Sequence, residues 1–215
     1  MPPRTYSQYC SLARALDLVG ERWTLLLVRD LLGGPRRYGE LLEGLPGIGT
    51  NLLAARLREL GRLGLVERVR LPEGRGRGYR LTAAGRELED ALVALARFGV
   101  RRLGQRGPAE LWRPDWTPLA LRARFRPGAA RGLRESYEFR VDGVVFHARV
   151  DDGRLDTDLG PAEDPALVLT LDADAFLALG SGRLSPCAAM ESPDVGVEGD
   201  LATLERCLAL FDPQA

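Results

Sequence analysis

The sequence predicts an α+β chain in two parts: a helix-rich N-terminal part ending in a two-stranded ribbon, and a C-terminal part mixing strands and helices. Three observations carry this. Apolar residues recur at helical spacing in four successive segments before residue 64, and two short strand-like runs follow. Residues 1–110 hold 19 Arg against 12 Asp and Glu, a net charge of +7, whereas residues 111–215 hold 11 Arg against 18, a net of −7. Between the two lie residues 104–118, with three prolines and no periodicity, which read as a linker. The expected division is 1–104, a linker at 105–118, and 119–215.

The first helix is expected over Cys10 to Val19, where Leu12, Ala15, Leu16 and Val19 recur and Gly20 ends the pattern. A second runs from Arg22 to Leu32 and is stopped by Gly33-Gly34-Pro35. Tyr38 to Leu45 is a short third. Pro46-Gly47-Ile48-Gly49 is a tight connector, after which Thr50 is placed to cap a fourth helix reaching about Leu63, with Gly64 closing it. Leu65–Leu71 and Gly78–Leu81 are strand-like, joined by the glycine- and arginine-rich tip Pro72 to Arg77. Thr82 caps a long helix expected to run through Leu103, with Leu88, Leu92, Leu95 and Phe98 along one side.

In the linker, Trp112 and Trp116 are expected to dock on a domain surface. Leu119 to Phe125 alternates like a strand, yet its Ala, Leu and Arg favour helix, and helix is the reading taken. Tyr137, Phe139 and Val141, then Val144, Phe146, Ala148 and Val150, alternate about a turn at Asp142-Gly143; Asp151-Asp152-Gly153 makes another turn. Ala166–Leu171 reads as a buried strand, Asp172–Leu179 as a helix, Val195–Val197 as a short strand and Leu201–Phe211 as a final helix.

Several classes are set aside by composition. No apolar run reaches the ~18 residues of a membrane span, and the first residues lack the apolar core of a signal peptide; the expectation is a cytoplasmic protein without a membrane partner. Cys10, Cys187 and Cys207 are odd in number and widely spaced, which fits neither a disulfide framework nor a zinc site. Enzyme chemistry has little to stand on. The one histidine, His147, falls on the polar face of a strand, Cys187 follows Pro186 in a loop-like stretch, and the paired aspartates mark turns and helix starts. No glycine-rich phosphate motif occurs. The chain reads as a non-enzyme that needs no cofactor or metal.

Helix, helix, short turn, helix and a ribbon with a basic tip is the order of a winged helix-turn-helix, which meets DNA. On the fourth helix Leu53, Leu57 and Leu60 share one face at i, i+4, i+7. Asn51, Ala55, Arg58 and Arg62 point the opposite way, a polar and basic face with a small residue that permits close approach to the major groove. Arg suits guanine edges and Asn adenine. Thr50 and the first-turn amides suit a phosphate. Arg36 and Arg37, just before the third helix, join this basic surface, and Arg75 and Arg77 at the wing tip are placed for backbone or a narrow minor groove. All 30 basic residues are Arg and none is Lys; GC-rich codon usage accounts for this better than selection for DNA contacts, since the acidic half lacks Lys too.

The run from Cys10 to Leu32 resembles the opening of the HxlR family of bacterial regulators. So do Gly34-Pro-Arg-Arg-Tyr-Gly-Glu-Leu, Leu45-Pro-Gly-Ile, Arg56-Leu-Arg-Glu-Leu, Gly64-Leu-Val and Tyr79-Arg-Leu-Thr-Ala-Ala-Gly. The match covers about residues 8–104. The resemblance implies a transcriptional regulator that binds operator double-stranded DNA as a homodimer, with a long terminal helix that helps pair subunits. Members usually start the recognition helix with a serine-proline-like pair, where this chain has Gly49-Thr50. Cys10 stands where some members carry a redox-sensing cysteine; its plainer reading is a small, partly buried helix residue.

The second half resembles the sterol-carrier-protein-like fold through Tyr137-Glu-Phe-Arg-Val-Asp-Gly, Leu169-Thr-Leu-Asp-Ala-Asp-Ala-Phe-Leu-Ala-Leu and Val197-Glu-Gly-Asp-Leu-Ala-Thr-Leu. That fold shelters lipids between sheet and helices. Phe139, Phe146, Phe176, Leu177 and Leu208 either line such a tunnel for an apolar small molecule or fill an ordinary core; periodicity does not separate a hollow interior from a packed one. The domain is then either a sensor or a dimerisation and protein-docking module, with redox control through Cys10 as a further alternative.

Overall fold

The computed structural model describes residues 5–72, 76–104, 106–107 and 109–211. Contacts divide the chain into two compact units, Met1–Leu92 and Val93–Ala215.

The first unit opens with α1 (Ser11–Val19) and α2 (Thr24–Leu32). Ala13 and Val19 of α1 are buried, whereas Leu12 and Leu16, half of the stripe that marks this helix in the sequence, are exposed. Helix α2 starts two residues later than its periodicity suggests, because Trp23 adopts a left-handed backbone (φ +78°) that no α-helix can include. Next come α3 (Tyr38–Glu43) and α4 (Thr50–Arg62). The Glu40 carboxylate accepts the Arg37 amide at 2.7 Å and closes the start of α3. Gly49, not Thr50, occupies the cap position of α4, and Thr50 is its first helical residue. Gly64 (φ +72°) ends α4 in the left-handed conformation expected of it.

Strands β1 (Val66–Arg70) and β2 (Arg77–Leu81) pair antiparallel, with Val66 opposite Leu81. Arg36 bridges to Tyr79 and extends this ribbon by a third short segment. Arg77 lies in β2 opposite Arg70, a position one step back from the tip.

The long helix expected from Thr82 to Leu103 is broken into α5 (Ala83–Arg86) and α6 (Glu89–Val100). The cause is local. Thr82 caps α5 by accepting the Gly85 amide at 3.1 Å and donates to the Gly64 carbonyl at 2.6 Å. Gly85 itself presses so closely on the Leu65 carbonyl that a Cβ would collide with it. Held there, the chain tightens through an i→i−3 bond from Leu88 N to Gly85 O before α6 begins. Only Leu92 of the expected apolar side is buried; Leu95 and Phe98 are exposed.

In the second unit a 3₁₀ turn at Pro114–Trp116 leads into α7 (Thr117–Arg124), so residues 119–124 are helical, as their composition indicates, and Phe125 lies just past the end. Five strands follow: β3 (Arg134–Val141), β4 (Val144–Asp151), β5 (Arg154–Leu159), β6 (Leu167–Leu171) and β7 (Gly196–Glu198). Their spatial order is β5-β4-β3-β6-β7, with β3 and β6 parallel and the other pairs antiparallel. Strand β5 is absent from the sequence reading because its inner face carries only Leu155 and Leu159, with the polar Thr157 between them. Between β6 and β7 come α8 (Ala173–Gly180) and α9 (Pro186–Glu191), and α10 (Leu201–Ala209) closes the unit. Helix α9 corrects the loop-like reading of Cys187. Ser185 accepts the Ala188 amide at 3.1 Å, and Pro186 fits the first helical position.

The core lies on one face of the sheet. Tyr137, Phe139, Val141, Phe146, Ala148, Val150, Leu167, Leu169 and Leu171 pack with Leu179 of α8 and with Leu204, Cys207 and Leu210 at the C-terminal end. On the other face His147 is half-buried, its Nδ1 3.1 Å from the Gly160 carbonyl, and Glu138 accepts the Ala162 amide at 2.8 Å. These two bonds fasten the connection that crosses from β5 to β6.

Candidate nucleic-acid interface and C-terminal interior

Helix α4 is two-faced as its pattern requires. Leu53, Leu57 and Leu60 are all at most 3% exposed. Asn51, Arg58 and Arg62 are exposed on the opposite side, with Ala55 half-buried between them. Tyr38 donates its hydroxyl to the Thr50 carbonyl at 2.6 Å and fastens the first turn.

The cations of this surface are not equivalent. Arg62 grips both oxygens of Glu59, at 2.6 and 3.0 Å. The hydrogen bond holds the Glu59 carboxyl below the usual carboxylate range and raises the guanidinium's pKa. Arg37 is tied to Glu40 at 3.3 Å. Arg36 donates to the Asp30 carbonyl at 3.4 Å, and its backbone is fixed in the bridge to Tyr79. Arg58 bonds only to the Ala54 carbonyl of its own helix, at 3.3 Å, and forms no ion pair among the described residues. Its charge is therefore the one on α4 most open to a ligand. Arg77 is exposed at the start of β2. Arg75 lies outside the described residues. Cys10 is exposed at the cap position of α1, which corrects the partly buried reading.

Two contributors to this site carry no periodic signal in the sequence. Tyr38 reads as an ordinary helix start, and Glu21 sits in a turn, yet Glu21 binds Arg56 of α4 at 2.8 Å.

In the C-terminal unit the five expected apolar residues separate into two groups. Phe139 and Phe146 are buried and stack at 5.1 Å between centroids; Phe176 of α8 stands edge-on to them at 6.0 and 5.8 Å. Trp112 packs outside Phe176 at 5.8 Å, so the linker tryptophan does dock. Leu177 is half-buried on α8, and Leu208 packs against the core from α10. The rings touch one another and fill the space between α8 and the sheet. A separate open cleft of about 280 Å³ lies beside α10, lined by Ala129, Arg131, Leu133, Arg206 and Leu210 among others, and includes none of the five. Near it a buried Tyr137 hydroxyl donates to Glu135 at 2.7 Å, and Arg206 holds the other carboxylate oxygen at 2.8 Å. Burial, then this hydrogen bond, pushes the Tyr137 phenol far above its usual range, and burial does the same to the Cys207 thiol.

A two-faced helix with an exposed basic side, set beside a paired ribbon, defines a winged helix-turn-helix. Residues 18–106 match the HxlR-like helix-turn-helix family, and residues 120–212 match the SCP-2 sterol transfer family. An uncharacterized HTH-type transcriptional regulator of Mycobacterium tuberculosis is 45% identical over 113 residues, 52% of this chain and 66% of that protein. The chain thus spans just under two thirds of that relative. The HTH-type regulator YvaP of Bacillus subtilis is 35% identical over 86 residues, 40% of this chain and 80% of that one. The solved reduced form of the transcriptional regulator YodB from B. subtilis is 31% identical, covering 46% of this chain and 100% of that chain with a TM-score of 0.39. The chain belongs to the HxlR-like helix-turn-helix family through its N-terminal half, and carries an SCP-2-type domain behind it. No described helix is long and apolar enough to cross a membrane.

Proposed function

We propose that this protein is a homodimeric transcriptional regulator, not an enzyme, that binds a short palindromic operator in double-stranded DNA. The observation that carries the reading is α4, whose exposed face presents Asn51 and an Arg58 without an ion-pair partner among the described residues, above a buried leucine face. Arg58 and Asn51 read base edges; Thr50, Arg36 and Arg37 position the helix on phosphates; Arg62, Arg75 and Arg77 add backbone contacts. Exposed Leu12 and Leu16 on α1, and Leu95 and Phe98 on α6, support pairing of two copies, since large apolar side chains at successive helical turns favour a partner over water. The division 1–104, 105–118 and 119–215 is kept as the functional one. Selection of duplexes from a random library by the full chain tests the proposal: enrichment of a palindrome is expected, and a library that stays random defeats it. Half-sites should lie about one helical turn apart.

The C-terminal domain is proposed to hold an apolar small molecule or lipid and to set operator affinity by its occupancy. The match to a sterol transfer family supports this; Phe139, Phe146 and Phe176 pack on one another, so a ligand seated among them would have to part these rings. Mass spectrometry of co-purifying lipids, followed by operator titration with and without the lipid found, tests it; equal affinities leave a docking module instead. A second reading, redox control, is favoured by the exposure of Cys10 at the head of α1. Oxidant sensitivity of operator binding that is lost in Cys10→Ser is its signature.

A further inference from the structure

The turn between α1 and α2 reaches the recognition helix at one point and the connector before it at another. Glu21 places a carboxylate oxygen 2.8 Å from the Arg56 guanidinium. Trp23, two residues on, lies under the connector that leads into α4, its ring 3.8 Å from where a Cβ on Gly47 would stand. Trp23 holds its left-handed backbone (φ +78°), a conformation that a bulky residue keeps only where its surroundings fix it. The turn is therefore a built feature and not a slack connection.

Arg56 stands on one flank of α4. At 100° per residue it falls between the buried row of Leu53, Leu57 and Leu60 and the exposed row of Asn51 and Arg58. Its side chain is 20% exposed, its Nε has no hydrogen-bond partner among the described residues, and the Glu21 contact is at the guanidinium tip. The leucine row fixes how deeply α4 is seated. A row on one face leaves rotation about the helix axis to be set also by contacts on its flanks, of which the Arg56–Glu21 pair is one. A rotation of ~15° would sweep a side chain ~6 Å from the axis through ~1.6 Å. That is enough to break a paired hydrogen bond to a base edge, whose donor–acceptor window is only about 0.5 Å wide.

We propose that Glu21 is a positioning residue for base reading: acting through Arg56, it sets the rotation of α4 and hence the direction of Asn51 and Arg58. The proposal rests on the DNA-binding reading given above. It also gives α1 a route to the recognition helix, since α1 ends in the turn that carries Glu21.

The simpler alternative is that Arg56 is a phosphate ligand whose charge Glu21 merely damps. The two differ in sign. Removing the carboxylate makes the surface more positive, so charge damping alone predicts tighter binding to any DNA. Positioning predicts weaker binding to the preferred sequence only.

The test uses Glu21→Gln in the full chain, a near-isosteric change at a half-exposed pair that costs little stability. The probes are the duplex selected by the wild type and a scrambled duplex of equal length. Affinity for the selected duplex should fall about fivefold, the upper range of what a half-exposed ion pair contributes, with scrambled binding and melting temperature unchanged. In an Arg56→Gln background, Glu21→Gln should cause no further loss of the selected-to-scrambled ratio. Unchanged or tighter binding of the selected duplex by Glu21→Gln overturns the proposal, and so does a loss that adds in full to that of Arg56→Gln. A wild type that selects no duplex defeats the DNA-binding reading itself, a result distinct from both.

Discussion

Truncating Arg58 and Arg62 separately should give unequal losses, and the structure sets the order. Both lie on the exposed side of α4 and have the same chemistry. Arg58 bonds only to the Ala54 carbonyl of its own helix, a contact that costs little to give up. Arg62 must first release a two-point grip on Glu59 at 2.6 and 3.0 Å. An exposed pair of this kind is worth ~0.2–1 kcal/mol. A bidentate arginine–guanine contact discriminates by ~1–3 kcal/mol. Arg58→Ala is therefore expected to cost ~1–3 kcal/mol, and Arg62→Ala less, by up to about fivefold in Kd. Fluorescence anisotropy against the selected duplex, and against single-base variants of it at fixed salt, measures both. Arg58→Ala should also flatten the preference at one base position in each half-site, whereas Arg62→Ala should weaken all sequences alike. Glu59→Gln frees Arg62 and should tighten binding. If Arg62→Ala costs as much as Arg58→Ala, or if Glu59→Gln leaves affinity untouched, the ranking of these cations by their ion pairs is wrong.

Three further outcomes follow from the packing and the titrating groups. Gly85→Ala puts a methyl group against the Leu65 carbonyl, and thermal unfolding of the N-terminal half should show a loss of ~1–3 kcal/mol or more; a neutral result would mean that α5 is free to move. Phe146→Ala removes a fully buried ring that stacks on Phe139 and should cost ~3–5 kcal/mol by denaturant titration, unless an apolar ligand fills the hole it leaves. Tyr137 has a native pKa raised by burial and by its bond to Glu135, so its stabilisation is complete below the unfolded phenol value of about 10 and declines as pH rises beyond it. The wild type should therefore lose stability above that pH, and Tyr137→Phe should lose less; equal slopes would place the alkaline sensitivity elsewhere.

Much of the site was legible in the sequence because it depends on periodicity. The leucine row and the polar row of α4 follow from 3.6 residues per turn, and the wing follows from two short runs around a glycine-rich tip. Helix α9 left a weaker trace, a Ser-Pro pair at Ser185-Pro186 whose capping geometry is readable once sought. Strand β5 left almost none, because an edge strand with one wet face needs little apolar content, and Asp156 and Asp158 sit on that face.

By itself the sequence determined the two-part order, the charge split between the halves, the helix proposed to read DNA and the faces it presents. These are local properties, written in spacings of two, three and four residues. Only the tertiary structure decided the rest, because those features depend on residues far apart in the chain arriving at one place. The break between α5 and α6 comes from Gly85 meeting Leu65, and the ion pair that joins α4 to the turn before α2 from Glu21 meeting Arg56 across 35 positions. The inequality of Arg58 and Arg62 is local instead: Glu59 lies three residues before Arg62, a spacing at which helical side chains meet, and next to Arg58, a spacing at which they do not. In the second half, alternation placed Phe139 and Phe146 on one face. That Phe176 and Trp112 close over them was settled by how α8 and the linker pack on the sheet, which no periodicity encodes.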